Sequence, residues 1–210
     1  MAVIGSYNGA AIIAFPSKPG IRQLELEMND TAASSRSPFT GTEQIQAWPG
    51  ADWWGANITL PQLDSDDAAV WTAFLGELRG IANVFYLSDP LHRRPRGNPQ
   101  GTPVIRGVNA AMATSLNIKG LTPNTARHLL PGDQLQVGQR LHRVLNVVNS
   151  DANGYATVSI WPSLREATSD NDPLILNNPR GLFRLAENKR SVLSTETRLT
   201  GVSIRAVEAR

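Results

Sequence analysis

The sequence predicts a mainly β protein, an antiparallel β-sandwich with one α-helix joined to a small β-barrel. Three features lead there. Short runs of alternating apolar and polar residues fill most of the chain, Asp66 to Leu78 has helical periodicity, and a segment rich in Pro, Arg and Gly, Pro90 to Gly101, separates two groups of strand-like runs.

Leu24, Leu26 and Met28 alternate with Glu25 and Glu27, the period of a strand with one dry and one wet face. Ser37-Pro38-Phe39-Thr40-Gly41, then Trp48, Trp53 and Trp54, read as turn, strand, turn and strand, and Trp54, Ala56, Ile58 and Leu60 alternate again. Asp64 or Ser65 is placed to accept hydrogen bonds from the first free amides of a helix, and Asp66 and Asp67 suit the positive end of its dipole. Val70, Trp71, Phe74, Leu75 and Leu78 fall on one face of that helix, and Gly80 tolerates left-handed backbone just past its end. Ile81 to Leu87 returns as a strand.

Pro90 to Gly101 has no apolar periodicity and reads as an exposed loop or linker. Beyond it, Leu116–Leu121, Gln134–Val137, Leu141–Val148, Tyr155–Trp161, Leu174–Leu176 and Leu182–Leu185 are six short strands, separated by turn signals such as Pro131-Gly132-Asp133 and Asp151-Ala152-Asn153-Gly154. Strands this short and closely spaced suggest a closed or partly open barrel of the OB type. The last segment, Val192 to Ala206, alternates and reads as a strand returning to the N-terminal domain. The expected division is therefore 1–95 with 188–210 as the sandwich, and 103–187 as an inserted barrel.

The 41% hydrophobic content supports a packed core, and no apolar run approaches the roughly 20 residues of a membrane-spanning helix. No signal-peptide pattern follows Met1, so the expectation is a chain without membrane anchor, made in a cytosol. With no cysteine, disulfides, thiolate metal sites and thiol catalysis are excluded. Residues 1–90 carry 4 Lys/Arg against 10 Asp/Glu, and residues 91–210 carry 16 against 8. Opposite charge on two surfaces favours head-to-tail packing.

Site chemistry is sparse. The sequence lacks a phosphate loop, a nucleophile elbow, a His-Glu-x-x-His motif and a dinucleotide fingerprint, so no catalytic residue, cofactor or metal ligand is expected and the chain does not read as an enzyme. His92, His128 and His142 lack ligand spacing and read as structural or surface residues. Asp64, Asp66 and Asp67 read as a helix start rather than a cation site, and Asp151-x-Asn153-Gly154 as a hairpin turn rather than a calcium loop. Arg93, Arg94 and Arg96 suit phosphates, but Tyr155 and Trp161 are a thin supply of stacking aromatics for a single-strand binder. The sequons at Asn29 and Asn57 have no export signal to make them relevant. Trp48, Trp53, Trp54, Trp71 and Trp161 read as core or interface residues before they read as a sugar platform.

In their order along the chain, several short motifs resemble the distal tail proteins, the baseplate hub adaptors, of long-tailed bacteriophages. These are Ser37-Pro38-Phe39-Thr40-Gly41, Trp54 leading to Pro61-Gln62-Leu63, and Leu78-Arg79-Gly80. In the second half they are Gly132-Asp133-Gln134-Leu135, Arg143-Val144, Ala156-Thr157-Val158 and Pro162-Ser163-Leu164-Arg165. The resemblance implies a structural virion protein at the tail tip, assembled in the bacterial cytoplasm. It implies a homo-hexameric ring whose partners are the tail tube protein, the baseplate hub protein and a tail fibre or receptor-binding protein, with no catalytic residues. The alternatives are a carbohydrate-binding baseplate module and a single-strand nucleic-acid-binding OB protein.

Overall fold

The computed structural model describes residues 2–48, 50–191, 193–194 and 200–210. The strands in chain order are β1 (Val3–Tyr7), β2 (Ala10–Ile13), β3 (Gln23–Asn29), β4 (Ala32–Arg36), β5 (Glu43–Ala47) and β6 (Trp53–Thr59). After helix α1 (Ser65–Leu78) come β7 (Val84–Ser88), β8 (Gly101–Ile105), β9 (Ser115–Leu121), β10 (Gln134–Val137), β11 (Arg140–Val144) and β12 (Ala156–Trp161). The last are β13 (Leu174–Ile175), β14 (Arg180–Leu185), β15 (Leu193–Ser194), β16 (Thr200–Gly201) and β17 (Ser203–Glu208). The chain is mainly β with one helix and a nearly closed barrel-like sheet, in keeping with the expected sandwich-plus-barrel class. It gathers into two compact units, one of Met1–Met28, Trp54–Asp89 and Arg180–Arg210, the other of Asn29–Trp53 and Pro90–Pro179.

The first unit is a seven-stranded sheet in the order β1-β2-β7-β14-β17-β6-β3. Trp54, Ala56 and Ile58 of β6 are fully buried, as their alternation requires, and β17 pairs with β6 through Ser203↔Thr59 to Val207↔Gly55. The expected return strand is thus present, although Val192 and Thr195 to Leu199 lie outside the described residues. One expectation needs correcting: β2 pairs with β7 in parallel, at Ile12↔Val84, so the sheet is not antiparallel throughout.

Helix α1 covers this sheet with Trp71, Phe74, Leu75 and Leu78, the i, i+3, i+4, i+7 stripe of an amphipathic helix. Phe15 meets Trp71 at 5.1 Å and Phe74 at 5.5 Å between ring centroids, both edge to face, the arrangement aromatic quadrupoles favour. Val70, expected on the buried face, is 44% exposed because it sits one residue to the side of that stripe. Asp64 is the cap: its carboxylate accepts from the Asp67 amide at 2.8 Å. The helix ends at Leu78 as expected, and the left-handed backbone begins at Arg79 (φ 49°), one residue before the expected Gly80, which continues the turn (φ 69°). A Cβ on Gly80 would lie 2.4 Å from Asn188 Oδ1, the atom that accepts from the Ile81 amide, so glycine is required there for space as well as for φ.

The second unit contains the barrel, in strand order β13-β10-β11-β12-β9-β8, with a bridge between Val104 and Pro173 joining its two ends. Ile105, Leu116, Ile118, Leu135, Val144, Val158 and Ile160 fill it. Its strand membership corrects the sequence reading. Leu182–Leu185 belongs to β14, which pairs with β7 and β17 in the other unit, and the sixth barrel strand is β8. Gly181, Leu182 and Phe183 are all buried, and a continuous apolar run marks a central strand without saying which sheet it joins. Strand β8 starts on Gly101, the last residue of the stretch read as linker, and continues into residues that the sequence reading assigned to no element. Gly101 and Gly120 let two backbones approach so closely that a Cβ on either would fall within 2.4 Å of a carbonyl oxygen across the pair.

The segment expected to be an exposed loop or linker is irregular and at least partly exposed over residues 90–100, and it is tied to the barrel. Asp133, buried within the barrel, accepts from the Arg96 amide at 2.9 Å, from Arg96 Nε at 3.2 Å and from the Gly97 amide at 3.3 Å. The Asn98 amide donates to the Arg127 carbonyl, and the Asn178 amide donates to that of Arg93. Gly/Pro composition signals irregular backbone, but it does not reveal where that backbone finds its hydrogen-bond partners. The boundaries 1–95 and 188–210 against 103–187 accordingly give way to junctions at Asp89/Pro90 and Pro179/Arg180, with residues 29–53 grouped with the barrel. Ser88 and Arg180 are register partners, so the whole segment Pro90–Pro179 leaves and re-enters at the end of one strand pair.

Charge follows the same redistribution. The segment 180–210 carries 7 Lys/Arg against 3 Asp/Glu and folds back beside 54–89, which carries 1 against 5. The first unit is therefore balanced and the second carries a net charge of +2, so the contrast between halves of the sequence is not a contrast between the two units.

Candidate interaction surface

Strands β4 and β5 form a two-stranded sheet of their own, in register from Ala32↔Ala47 to Arg36↔Glu43. Every residue of both strands is exposed. An isolated hairpin is marginal in water, so something other than its own pairing must order this ribbon.

The base supplies that order. Trp161 Nε1 donates to Asp30 Oδ1 at 2.8 Å on one leg of the ribbon. On the other leg, Asp52 accepts from the Ser163 amide at 2.5 Å and from Ser163 Oγ at 2.7 Å. Arg165 lies 4.0 Å from Asp52 Oδ1 and donates to the Gly50 carbonyl. The barrel segment Trp161-Pro162-Ser163-Leu164-Arg165 thus clasps both legs. Partial burial pushes the Asp52 carboxyl up, but the hydrogen bonds from Ser163, with the Arg165 guanidinium nearby, outweigh it and hold the group below its ordinary value. His142 supports this segment by donating Nδ1–H to the Pro162 carbonyl at 2.7 Å. Complete burial lowers its pKa to about 4; the Pro162 hydrogen bond opposes this, and Arg140 and Arg165 add to it.

At the far end the ribbon turns through Ser37-Pro38-Phe39-Thr40-Gly41. Ser37 Oγ accepts from the Phe39 and Thr40 amides, the Gly41 amide donates to the Ser37 carbonyl, and Gly41 takes the left-handed conformation (φ 69°). Phe39 projects from this tied turn with 95% of its surface exposed. The sequence marked the turn, but the exposure of Phe39 is a property of the ribbon's placement.

The first unit holds an open cavity of about 300 Å³ lined by Ile4, Ala14, Phe15, Ile21, Tyr86, Leu87, Ser88 and Arg180. The Arg180 guanidinium lies 4.2 Å from the centroid of the Tyr86 ring, within cation–π range. Beside it, β1 is one of the two outer strands of its sheet and exposes Val3 and Ile4.

The other sequence-marked residues have local roles. His128 Nδ1 accepts from the Gln100 amide, and Asp151 Oδ1 accepts from the Asn153 and Tyr155 amides, closing a turn. Trp54 and Trp71 are in the core, Trp161 is nearly so, and Tyr155 is covered by Arg106 at 4.1 Å from its centroid. Trp48 remains half-exposed on the ribbon, and of the three marked arginines Arg96 is bound to Asp133. Among the described residues no three His, Asp or Glu side chains gather as a metal set, and no helix is long and apolar enough to cross a membrane. Compared with known proteins, the chain matches no family model and no curated protein.

Proposed function

We propose that this chain is a structural assembly protein: a subunit of the adaptor ring at the distal end of a bacteriophage tail, joining the tail tube to the baseplate hub and its receptor-binding fibres. The observation that carries this reading is the exposed β4–β5 ribbon. It is ordered at its base by two carboxylates and at its tip by a serine-capped turn, and it leaves an aromatic side chain in solvent. An ordered arm with no covering of its own is built to be covered by a partner.

The motifs that resemble distal tail proteins give the phage assignment, and two of them fall on this apparatus. Ser37 to Gly41 forms the tip and Pro162 to Arg165 carries the clasp. An arm on one surface meeting a different surface of the next copy is a heterologous contact, and such contacts give closed rings when the rotation between copies closes.

Electron microscopy of the purified protein, with native mass spectrometry, tests the reading. Six-fold rings with an open lumen are expected, and a chain that stays monomeric both alone and in assembled particles would refute it.

A further inference from the structure

We propose that the ribbons of neighbouring copies join edge to edge, β5 of one copy hydrogen-bonding to β4 of the next, so that the arms of a ring share one continuous antiparallel sheet. This rests on the ring reading above and specifies the contact between copies.

Backbone pairing leaves both edges of the ribbon open. In an antiparallel pair the amides and carbonyls of successive residues point alternately towards the partner strand and away from it. The Trp48 amide donates to the Thr31 carbonyl at the base of the ribbon, and the Ser37 amide to the Thr42 carbonyl at its tip. The inward positions between them are therefore Ala33 and Ser35 on β4 and Gln46 and Gln44 on β5, their register partners. Ala32, Ser34 and Arg36 on one edge, and Glu43, Ile45 and Ala47 on the other, direct their amides and carbonyls outward, and among the described residues no third strand meets them. Exposed edges are ordinarily blunted by lysine, proline, a bulge or a covering element. Neither strand contains lysine or proline, the register runs without a shift, and every residue of both strands is exposed. Such an edge adds a further strand through main-chain hydrogen bonds.

Charge selects which edge meets which. Arg36 is the one charged residue of β4, and Glu43 the one of β5. They are register partners, yet within the chain Arg36 Nε turns to the Gly41 carbonyl, at 3.3 Å, and no ion pair joins the two among the described residues. When β5 lies against the neighbour's β4 in the register the ribbon already uses, Glu43 faces the neighbour's Arg36. Pairing β4 with β4, or β5 with β5, brings no opposite charges together and leaves the other edge of each arm open. A slip of two residues would set Glu43 against Ser34, so the same two charges fix the alignment of strands whose small and polar residues specify it weakly. Joining unlike edges is a heterologous contact that uses both edges of every arm, and it closes when the copies form a ring.

The test uses the full chain. Arg36→Glu and Glu43→Arg each put like charges at every contact and should weaken self-association by about ten-fold per contact, the swing from an attractive to a repulsive cross-strand pair. Mixed in equal amounts, the two variants should recover rings in which they alternate, because every contact then joins opposite charges. Repulsion inside each ribbon is the same alone and mixed, so recovery on mixing reads only the contact between chains. The chain has no cysteine, so Ser34→Cys and Ile45→Cys give a second readout. The two residues are register partners, and an oxidised mixture of the two single variants should yield a disulfide-linked dimer that neither variant forms alone. A disulfide formed by Ser34→Cys alone would reveal two-fold pairing of β4 with β4 and overturn the proposal. Charge variants that each associate like the wild type also overturn it, and their persisting rings leave the ring reading standing. A wild-type chain that is monomeric at about 100 micromolar and in assembled particles overturns both.

Discussion

Asp52→Ala isolates the clasp that orders the arm. The substitution removes the acceptor for the Ser163 amide and Ser163 Oγ, each hydrogen bond worth about 1.5–3 kcal/mol to a charged partner in a protected site. It also removes the carboxylate 4.0 Å from Arg165, whose side chain is 12% exposed, a change that costs about 3–5 kcal/mol when such a pair is well buried. These contributions overlap, and Asp52 keeps some solvent contact, so a loss of about 3 kcal/mol is expected. The ribbon has no buried face to hold it otherwise, so the cost appears as local opening of residues 30–52 rather than as unfolding of the barrel. That energy corresponds to roughly a hundred-fold larger open population. Hydrogen exchange read on the amides of β4 and β5 should accelerate by that order, with the amides of β9 to β12 unchanged. Asp52→Asn, which keeps an acceptor but no charge, should fall between. The clasp is at full strength above the ordinary carboxylate pKa of 3.8 and is lost as pH falls through the lowered folded value. Unchanged exchange in Asp52→Ala would show that the arm is held by something other than its base, and the reasoning would fail.

Three further perturbations have defined outcomes. Trp71→Ala, which empties a site walled by Phe15 and Phe74, should destabilise the first unit by about 3–5 kcal/mol in a denaturant titration, with the barrel signal retained. Burial depresses the His142 pKa from 6.5 to about 4, so the unfolded chain binds the proton first: barrel stability is complete above pH 6.5 and declines by roughly 3 kcal/mol towards pH 4. His142→Asn, able to donate to the Pro162 carbonyl without titrating, should flatten that part of the pH–stability profile. Excising Pro90–Pro179 and joining Asp89 to Arg180 through a short Asn-Gly turn should give a folded first unit by circular dichroism, because Ser88 and Arg180 are already opposite each other; excising 103–187 instead removes the whole of β14 and should give an insoluble product.

Local patterns in the sequence determined the local structure. The helix, its Asp64 cap, the alternation of β6, the barrel strands β9, β10 and β12 and the turn at Ser37–Gly41 follow from residues within a few positions of one another, because capping, periodicity and turn chemistry act at that range. Tertiary structure alone decided which sheet each strand joins and what each polar group holds. Strand β14 reads as an apolar run whichever sheet it enters, and β8 owes its place to two glycines, Gly101 and Gly120, that are 19 positions apart in the chain. Asp52 and Ser163 are separated by 111 residues, and the Asp133 that binds the supposed linker lies 37 positions from Arg96. Such partnerships carry no periodic signature, since a side chain encodes its capacity to accept a hydrogen bond but not the distant donor the fold delivers to it. Phe39 shows the same limit from the other side: hydrophobicity predicts burial, yet its position on an arm exposed on both faces leaves it in water, where its only remaining route to burial is a partner.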